Sequence, residues 1–501
     1  MNQDTTTEME VPRNDDRLTG TDESFGESSA SESEYQHALE VVLDHEGAHR
    51  RKSSLTIADA ARTIQERNQQ ASHSRCIVHS LLQKRRKNGE ALEDIREDCF
   101  TPDRQSVSEP NGNSHTRHLT KKQLSEMLLG VRDLSKKLSR VCLRLKVKTV
   151  FLLTKAQDKS LVPLTRNLAA WLLSKERDTP YIVFVQDTLE HDPLFDAKGL
   201  LQTDPTYKGR LQYWDVNLCA RHPHTFDFVV TLGGDGTVLY ASWLFQRVVP
   251  PVLSFALGSL GFLTKFDYGE YEDALTLAFR EGIKVSLRIR LEGTVMRSQK
   301  RPSLGPKDIV EELIGDEADN NHTHKPEKSF KIMNDIVVDR GPHPTMSSLE
   351  FFGDDQHYTT IQADGLCIAT PTGSTAYNLA AGGSLCHPEN PVILVTAICA
   401  HTLSFRPIIL PDTMVLRIGV PYDARTSSWV SFDGRERVEL MQGDYVTISA
   451  SRYPFPTVMP QAIKRDEWIE GIQRTLQWNS RRRQKGFQEE ADKDNGLRLR
   501  S

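Results

Sequence analysis

An acidic side chain set among glycines is the first place in this 501-residue chain where residue types and spacing point to chemistry. Gly233, Gly234, Asp235, Gly236 and Thr237 follow the run 226–232, rich in β-branched and aromatic residues, and precede a stretch able to form a helix. Strand, tight turn and helix start make a phosphate cradle: without a Cβ, backbone N–H groups approach an anion closely, and the helix adds its positive end. A carboxylate in such a cradle repels phosphate unless it serves a metal or takes a proton, so Asp235 points to proton transfer beside a phosphoryl group. The competing reading is an ordinary strand-to-helix turn, where Gly-Asp-Gly is common.

The elements that must position this turn lie on both sides of it. Residues 121–138 place Leu124, Leu128, Val131, Leu134 and Leu138 near helical spacing. Runs 147–154 and 181–185 read as buried strands with a helix over 161–173 between them; beyond the turn come a helix over 238–245 and a strand over 251–255. Strand and helix alternate with short connections, the pattern of a Rossmann-like parallel sheet covered on both faces, with ligands at the carboxyl ends of its strands.

From about residue 283 the pattern changes to short alternating segments at 284–290, 292–296, 330–338, 348–352, 356–360, 392–398, 414–420, 429–432 and 445–450. Period-two alternation between turn residues predicts a β-rich, sandwich-like domain. The polar stretch 307–328 reads as a surface insertion, and 462–476 as one more helix before a charged tail from Arg481. The expected division is 1–115 as a disordered regulatory arm, 116–282 as the α/β domain, 283–459 as the β-rich domain and 460–501 as helix and tail.

Four further stretches are richer in small and polar residues than a core requires. Residues 257–264 follow a strand and carry two glycines. Asn334 and Asp335 interrupt an apolar run and must find partners there. Residues 364–383 set Asp364, a hydroxyl-rich turn with Thr372, Ser374 and Thr375, and Tyr377 close together, the groups a nucleoside needs for its ribose and base. Residues 401–407, with His401 and Arg406, and 431–434, with Asp433, place charges beside aromatics and read as supporting the site. Each also has a structural reading as a turn or a satisfied polar residue.

Composition narrows the class. A net charge of −5 over this length gives no global sign of nucleic acid or an anionic membrane as partner. The seven cysteines are dispersed, with no metal-ligand spacing, as expected of reduced thiols in the cytosol or nucleus. The N-terminus is acidic and resembles no secretory or mitochondrial leader, and no apolar stretch approaches the ~20 residues of a membrane span. Residues 1 to about 115 have too few apolar groups to offset ordering entropy, apart from a short helix over 54–65 and a docking segment over 74–83. The basic run 49–54 would suit a basophilic protein kinase acting on Ser53. P-loop, protein-kinase and full G-x-G-x-x-G motifs are lacking.

Taken together, residues 233–237, Asn334 with Asp335, 364–383 and 404–407 resemble the NAD kinase family, specifically its eukaryotic ATP-dependent members, over roughly 119–459. The resemblance implies an α/β domain shared in type with diacylglycerol kinases, a β-sandwich-like second domain and a site in the crevice between them. It implies transfer of the γ-phosphoryl of ATP to the adenosine-ribose 2′-hydroxyl of NAD, giving NADP. Asp235 becomes the general base, an ordinary aspartate being ionised at neutral pH. Gly233, Gly234, Gly236 and Thr237 would hold donor phosphates, with Mg²⁺ carried by the triphosphate and no metal ligands from the protein. Asn334 and Asp335 would bind ribose hydroxyls, Asp364 the nicotinamide end, Thr372, Ser374, Thr375 and Tyr377 the adenosine side, and Phe262 the acceptor. The family more often has Glu after the Asn, so Asp335 reaches one methylene less and a water would bridge. Family members are usually homo-oligomers, and a cytoplasmic enzyme is expected. The alternatives are a diacylglycerol- or sphingosine-type lipid kinase sharing the glycine loop, and a non-catalytic NAD-binding regulator acting through its arm.

Overall fold

The computed structural model describes residue 116 and residues 119–155, 158–258, 260–299, 308–314, 323–402, 404–461 and 467–478. The expected arm over 1–115, with its helix, docking segment and phosphorylation site, and the tail from Arg481 lie outside the described residues.

The described residues form three sheets. The first has the strand order Leu211–Trp214, Ile182–Gln186, Thr149–Thr154, Phe228–Leu232, Val252–Ala256, Phe455–Met459 and Lys284–Arg288, with the short Phe266–Asp267 beside Val252–Ala256. All pairings are parallel except that of Lys284–Arg288 with Phe455–Met459. Successive side chains enter opposite faces. Val150, Leu152, Phe228 and Val230 pack in one core with helices Val162–Leu173 and Tyr271–Arg280, while Phe151, Leu153 and Val229 join another with helix Asp235–Leu244. Coverage on both faces is why these strands read as continuous apolar runs.

The chain runs outward from Thr149–Thr154 through two strands, then returns to the other side of it for Phe228–Leu232. That reversal makes a crevice at the carboxyl ends of these two strands, where open α/β sheets bind ligands. Lys155 leaves one strand there, its N–H donating to Leu232 O at 3.0 Å, and the Gly233 turn leaves the other.

The other two sheets are antiparallel. One runs Ile408–Pro411, Val392–Ile398, Gly365–Ala369, Asp335–Asp339, Ser428–Phe432 and Glu436–Leu440; the second runs Gln356–Ala363, Ser347–Gly353, Leu416–Gly419, Tyr445–Ala450, Leu291–Ser298 and His324–Ile332. Ile336, Ile368 and Phe432 from one meet Leu291, Phe351 and Ile418 from the other in a shared core, which makes the pair a sandwich.

Three expectations are corrected. The run 330–338 is not one strand: His324–Ile332 and Asp335–Asp339 belong to different sheets, and the chain crosses between them at Met333 and Asn334. The expected boundary at residue 283 does not follow the sheets, because Lys284–Arg288 pairs with Phe455–Met459 and buries Val285 and Leu287 in the first core. Within the polar stretch 307–328, Ile309–Ile314 is a helix that buries Ile309 and Leu313 against Phe352 and Tyr445.

Candidate active site

The glycine turn ends the fully buried strand Phe228–Leu232 and opens helix Asp235–Leu244, one turn earlier than its hydrophobic pattern begins. Gly233 has φ +149°, and a Cβ there would lie 2.3 Å from Thr237 Oγ1, so only glycine fits. At Gly234 and Gly236 an added Cβ would meet nothing within 4 Å, which leaves the outer side of the turn open to a ligand. Thr237 Oγ1 is buried without a hydrogen-bond partner, a polar atom facing the cradle with its capacity unused.

Asp235 does not project freely. Its Oδ2 accepts from Phe262 N at 2.9 Å, while Oδ1 accepts from Leu263 N at 3.0 Å, Thr264 N at 3.2 Å and Thr264 Oγ1 at 3.4 Å. Gly261 permits this approach: a Cβ there would stand 2.1 Å from Asp235 Oδ1. The glycine expected to bring backbone towards a ligand instead brings it towards the carboxylate, fixing Asp235 relative to the strand Val252–Ala256. Phe262 is half-buried beside it.

Opposite the turn lies the crossing between the sandwich sheets. Met333 is fully buried in the core that contains Phe151, Phe245 and Phe455, which anchors the crossing to the first sheet. Its backbone is held by Asp433, whose carboxylate accepts from Met333 N at 2.9 Å, Asn334 N at 2.8 Å and Asp335 N at 3.1 Å. Asp433 and Gly434 have φ +49° and +65°, and Arg435 N donates to Phe432 O at 2.9 Å, so they make the two-residue Asp-Gly turn of a hairpin. Burial pushes the Asp433 carboxyl above its ordinary range, and the three amides pull the other way. Asp335 is buried with no hydrogen-bond donor on its carboxylate among the described residues; burial, then the Asp433 charge, push it up to about 7. Asn334 Oδ1 is likewise buried and unpartnered.

The hydroxyl-rich turn packs directly on this crossing. Thr370 N donates to Asn334 O at 2.9 Å and Thr370 Oγ1 to Met333 O at 2.6 Å, while a Cβ on Gly373 would fall 2.2 Å from Asn334 O. Thr372 Oγ1 is buried and unpartnered, Thr375 Oγ1 donates to Thr372 O at 3.3 Å, and Tyr377 is 45% exposed. Ser374 departs from expectation: its fully buried hydroxyl donates to Cys386 O at 3.1 Å and accepts from Cys386 N at 3.0 Å, so it ties two loops together and has no face for a ligand. Asp364 is ion-paired to Arg340 at 3.1 Å. His401 and Arg406 are exposed, and neither side chain makes a hydrogen bond or ion pair among the described residues, unlike Asp433.

Three residues escaped the sequence reading. Arg435, directly after the Asp-Gly turn, reaches the phosphate loop: Nη2 donates to Gly236 O at 3.4 Å and the guanidinium lies 4.4 Å from the Tyr240 ring centroid. Buried Arg290 holds the far end of the same helix, donating to Phe245 O at 2.8 Å, Ser242 O at 3.2 Å and Tyr453 O at 2.7 Å. Buried Asn378 fastens the hydroxyl-rich turn, donating to Ser374 O at 3.3 Å and Ser384 O at 3.1 Å and accepting from Thr396 Oγ1 at 2.8 Å. Among the described residues, no three His, Cys, Asp or Glu side chains converge as a metal site would require.

The sequence matches the ATP-NAD kinase N-terminal domain over residues 150–283 and the ATP-NAD kinase C-terminal domain over residues 333–459. It is 43% identical over 383 residues to an NAD(+) kinase of Saccharomyces cerevisiae, covering 76% of this chain and 69% of the relative. It is 42% identical over 357 residues to an ATP-NADH kinase of the same yeast, covering 71% and 69%. A crystal structure of yeast NADH kinase complexed with NADH superposes with a TM-score of 0.54 at 30% identity, covering 68% of this chain and 90% of that one. With both domains matched in order and relatives aligned over more than two thirds of their length, the chain belongs to the ATP-NAD kinase family.

Proposed function

We infer that the chain phosphorylates NAD with ATP, moving the γ-phosphoryl group to the adenosine-ribose 2′-hydroxyl to give NADP. The observation that carries this is the reach of the hairpin turn 433–435 in two directions. Asp433 holds the backbone of Asn334 and Asp335 while Arg435 touches Gly236 of the phosphate loop. One turn thereby sets the distance between a sugar-binding segment and a phosphate cradle. Phosphoryl transfer needs little more from a protein than such positioning and charge stabilisation.

Asp235 acts as general base in this proposal. Oδ2 accepts a single backbone N–H and keeps a lone pair for the attacking hydroxyl, and the amides on Oδ1 hold the carboxylate still. Gly233, Gly234, Gly236 and Thr237 hold donor phosphates, with Lys155 and Arg435 as flanking cations. Asn334 and Asp335 take ribose hydroxyls, and Thr372, Thr375 and Tyr377 line the nucleoside. Ser374 and Asp433 support from behind. Asp364 is proposed to meet the nicotinamide end through its Arg340 pair, and Phe262 to pack on the acceptor. Mg²⁺ would enter with ATP, and when bound it would supply neutralisation of charge on the transferring group.

Assembly as a homo-oligomer and a cytoplasmic setting are proposed with the activity. No helix among the described residues is long and apolar enough to cross a membrane. The match to ATP-NAD kinase domains on both halves sets the lipid-kinase alternative aside.

The test is a coupled assay for NADP with purified protein, NAD, ATP and Mg²⁺, alongside Asp235→Asn. Wild type should make NADP, and the variant should lose about 10²–10⁴ in kcat with NAD affinity retained. NAD binding without turnover by folded wild type would leave the non-catalytic regulator as the better description.

A further inference from the structure

The C-terminal helix Glu467–Thr475 lies beyond the matched family domains, which end at residue 459, yet it packs on two loops of the site. Its buried face is formed by Gly471 and Ile472, flanked by half-buried Trp468 and Leu476, a spacing of three and four residues that puts them on one side. Ile472 is 1% exposed, whereas Glu470, Gln473 and Arg474 face solvent.

On one side, Gly471 faces the Phe262 ring so closely that a Cβ there would be 3.5 Å from Cδ1 and Cε1. Phe262 belongs to the loop whose amides fix Asp235. On the other side, the Trp468 ring meets His387 edge to face, with centroids 5.3 Å apart. His387 follows Cys386, whose backbone is bound in both directions by the Ser374 hydroxyl of the nucleoside turn. A single helix therefore bridges the loop whose amides fix Asp235 and the loop that backs the nucleoside site, which come from the α/β sheet and the sandwich respectively.

We propose that this helix is a positioning element of the dinucleotide site, with Trp468 and Gly471 setting the place of residues 261–264 and thereby of Asp235. The proposal rests on the NAD kinase reading for its kinetic consequence, but not for its structural one. Neither residue touches substrate; each acts through Phe262 or His387. Because a displacement of about 1 Å at a reacting group can cost as much as ~10²-fold in rate, loosening the helix lowers kcat, while the ATP cradle at residues 233–237 is left as it was.

The test uses the full chain with Trp468→Ala, Trp468→Phe, Gly471→Ala and Gly471→Leu. Two readouts are taken: steady-state kinetics for NAD and ATP, and hydrogen exchange of the backbone amides of residues 262–264 by mass spectrometry. Trp468→Ala and Gly471→Leu should lower kcat by about tenfold, leave the KM for ATP within about twofold, and speed exchange at 262–264. Trp468→Phe, which keeps an aromatic edge for His387, and Gly471→Ala, whose methyl makes an ordinary contact with Phe262, should restore both readouts. Unchanged exchange and kcat in Trp468→Ala and Gly471→Leu would overturn the proposal, as would a uniform fall in thermal stability with no selective effect at 262–264. If wild type makes no NADP, the exchange result still decides the coupling, so the two readings fail separately.

Discussion

Asp433 and Asp335 are bound to each other by two hydrogen bonds as well as set against each other through their charges. Asp335 N donates to Asp433 Oδ1 at 3.1 Å, and Asp433 N donates to Asp335 O at 3.0 Å. Two carboxylates in one desolvated place do not both ionise readily. Burial and then the Asp433 charge raise the Asp335 carboxyl, which has no donor on it, while at Asp433 burial raises the carboxyl and three amides oppose the rise.

Replacing Asp433 by Ala removes the acceptor of three backbone donors at the crossing. Stability should fall on the order of 3 kcal/mol, and NAD binding should weaken more than ATP binding. Urea denaturation and separate titrations of the two nucleotides measure this; equal weakening of both would show that the crossing is not specific to the acceptor.

Asp335 gives a pH signature with a definite sign. Its carboxyl stands at about 7 in the folded chain, against about 3.9 for an ordinary aspartate in an unfolded one. Between these values the folded state holds a proton that the unfolded state lacks. Its contribution to stability is therefore fully present below about pH 4 and lost as pH rises through about 7. In Asp335→Asn that loss should vanish. Denaturation midpoints from about pH 5 to about pH 8 test it, and parallel curves for the two proteins would refute the assignment.

Arg435 is predicted to act on the donor. Arg435→Ala should raise the KM for ATP by roughly tenfold, the size of one lost charge-assisted hydrogen bond, with the KM for NAD changed much less. Arg435→Lys should recover part of the loss, since a point charge remains without the guanidinium's contact over the Tyr240 ring. Steady-state kinetics with each nucleotide varied in turn distinguishes these outcomes.

Arg290 is fully buried, and its guanidinium serves carbonyls at the end of the phosphate-loop helix. Arg290→Met keeps the packing volume but strands those carbonyls, so stability should drop on the order of 4 kcal/mol. Thermal unfolding would report it; a loss below about 1 kcal/mol would mean that water replaces the guanidinium.

Much of the first domain was legible because its strands are buried on both faces and its helices carry one apolar stripe. The strand 228–232 and the turn at Gly233 follow from local composition alone. The crossing at Met333 was not legible, because apolar residues continue on both sides of it; the polar pair Asn334 and Asp335 was the sole local sign. Sheet membership of Lys284–Arg288 and Phe455–Met459 depends on a pairing between distant segments, which periodicity does not encode. Ser374 and Thr372 look alike in sequence, yet one hydroxyl ties Cys386 and the other is left open. Arg435 sits one residue beyond a stretch singled out for Asp433, and its reach to Gly236 spans 199 residues of chain.

The bond from Met333 to Asp433 joins residues 100 apart in the chain. Closing so large a loop is slow and comes after nearer contacts have formed. The acceptor pocket therefore needs long-range closure of the chain, as does the first sheet, where Phe455–Met459 pairs with Val252–Ala256 and Lys284–Arg288. A dinucleotide that binds there recognises completed molecules only, so it slows unfolding of the finished protein without hastening the early steps of its formation.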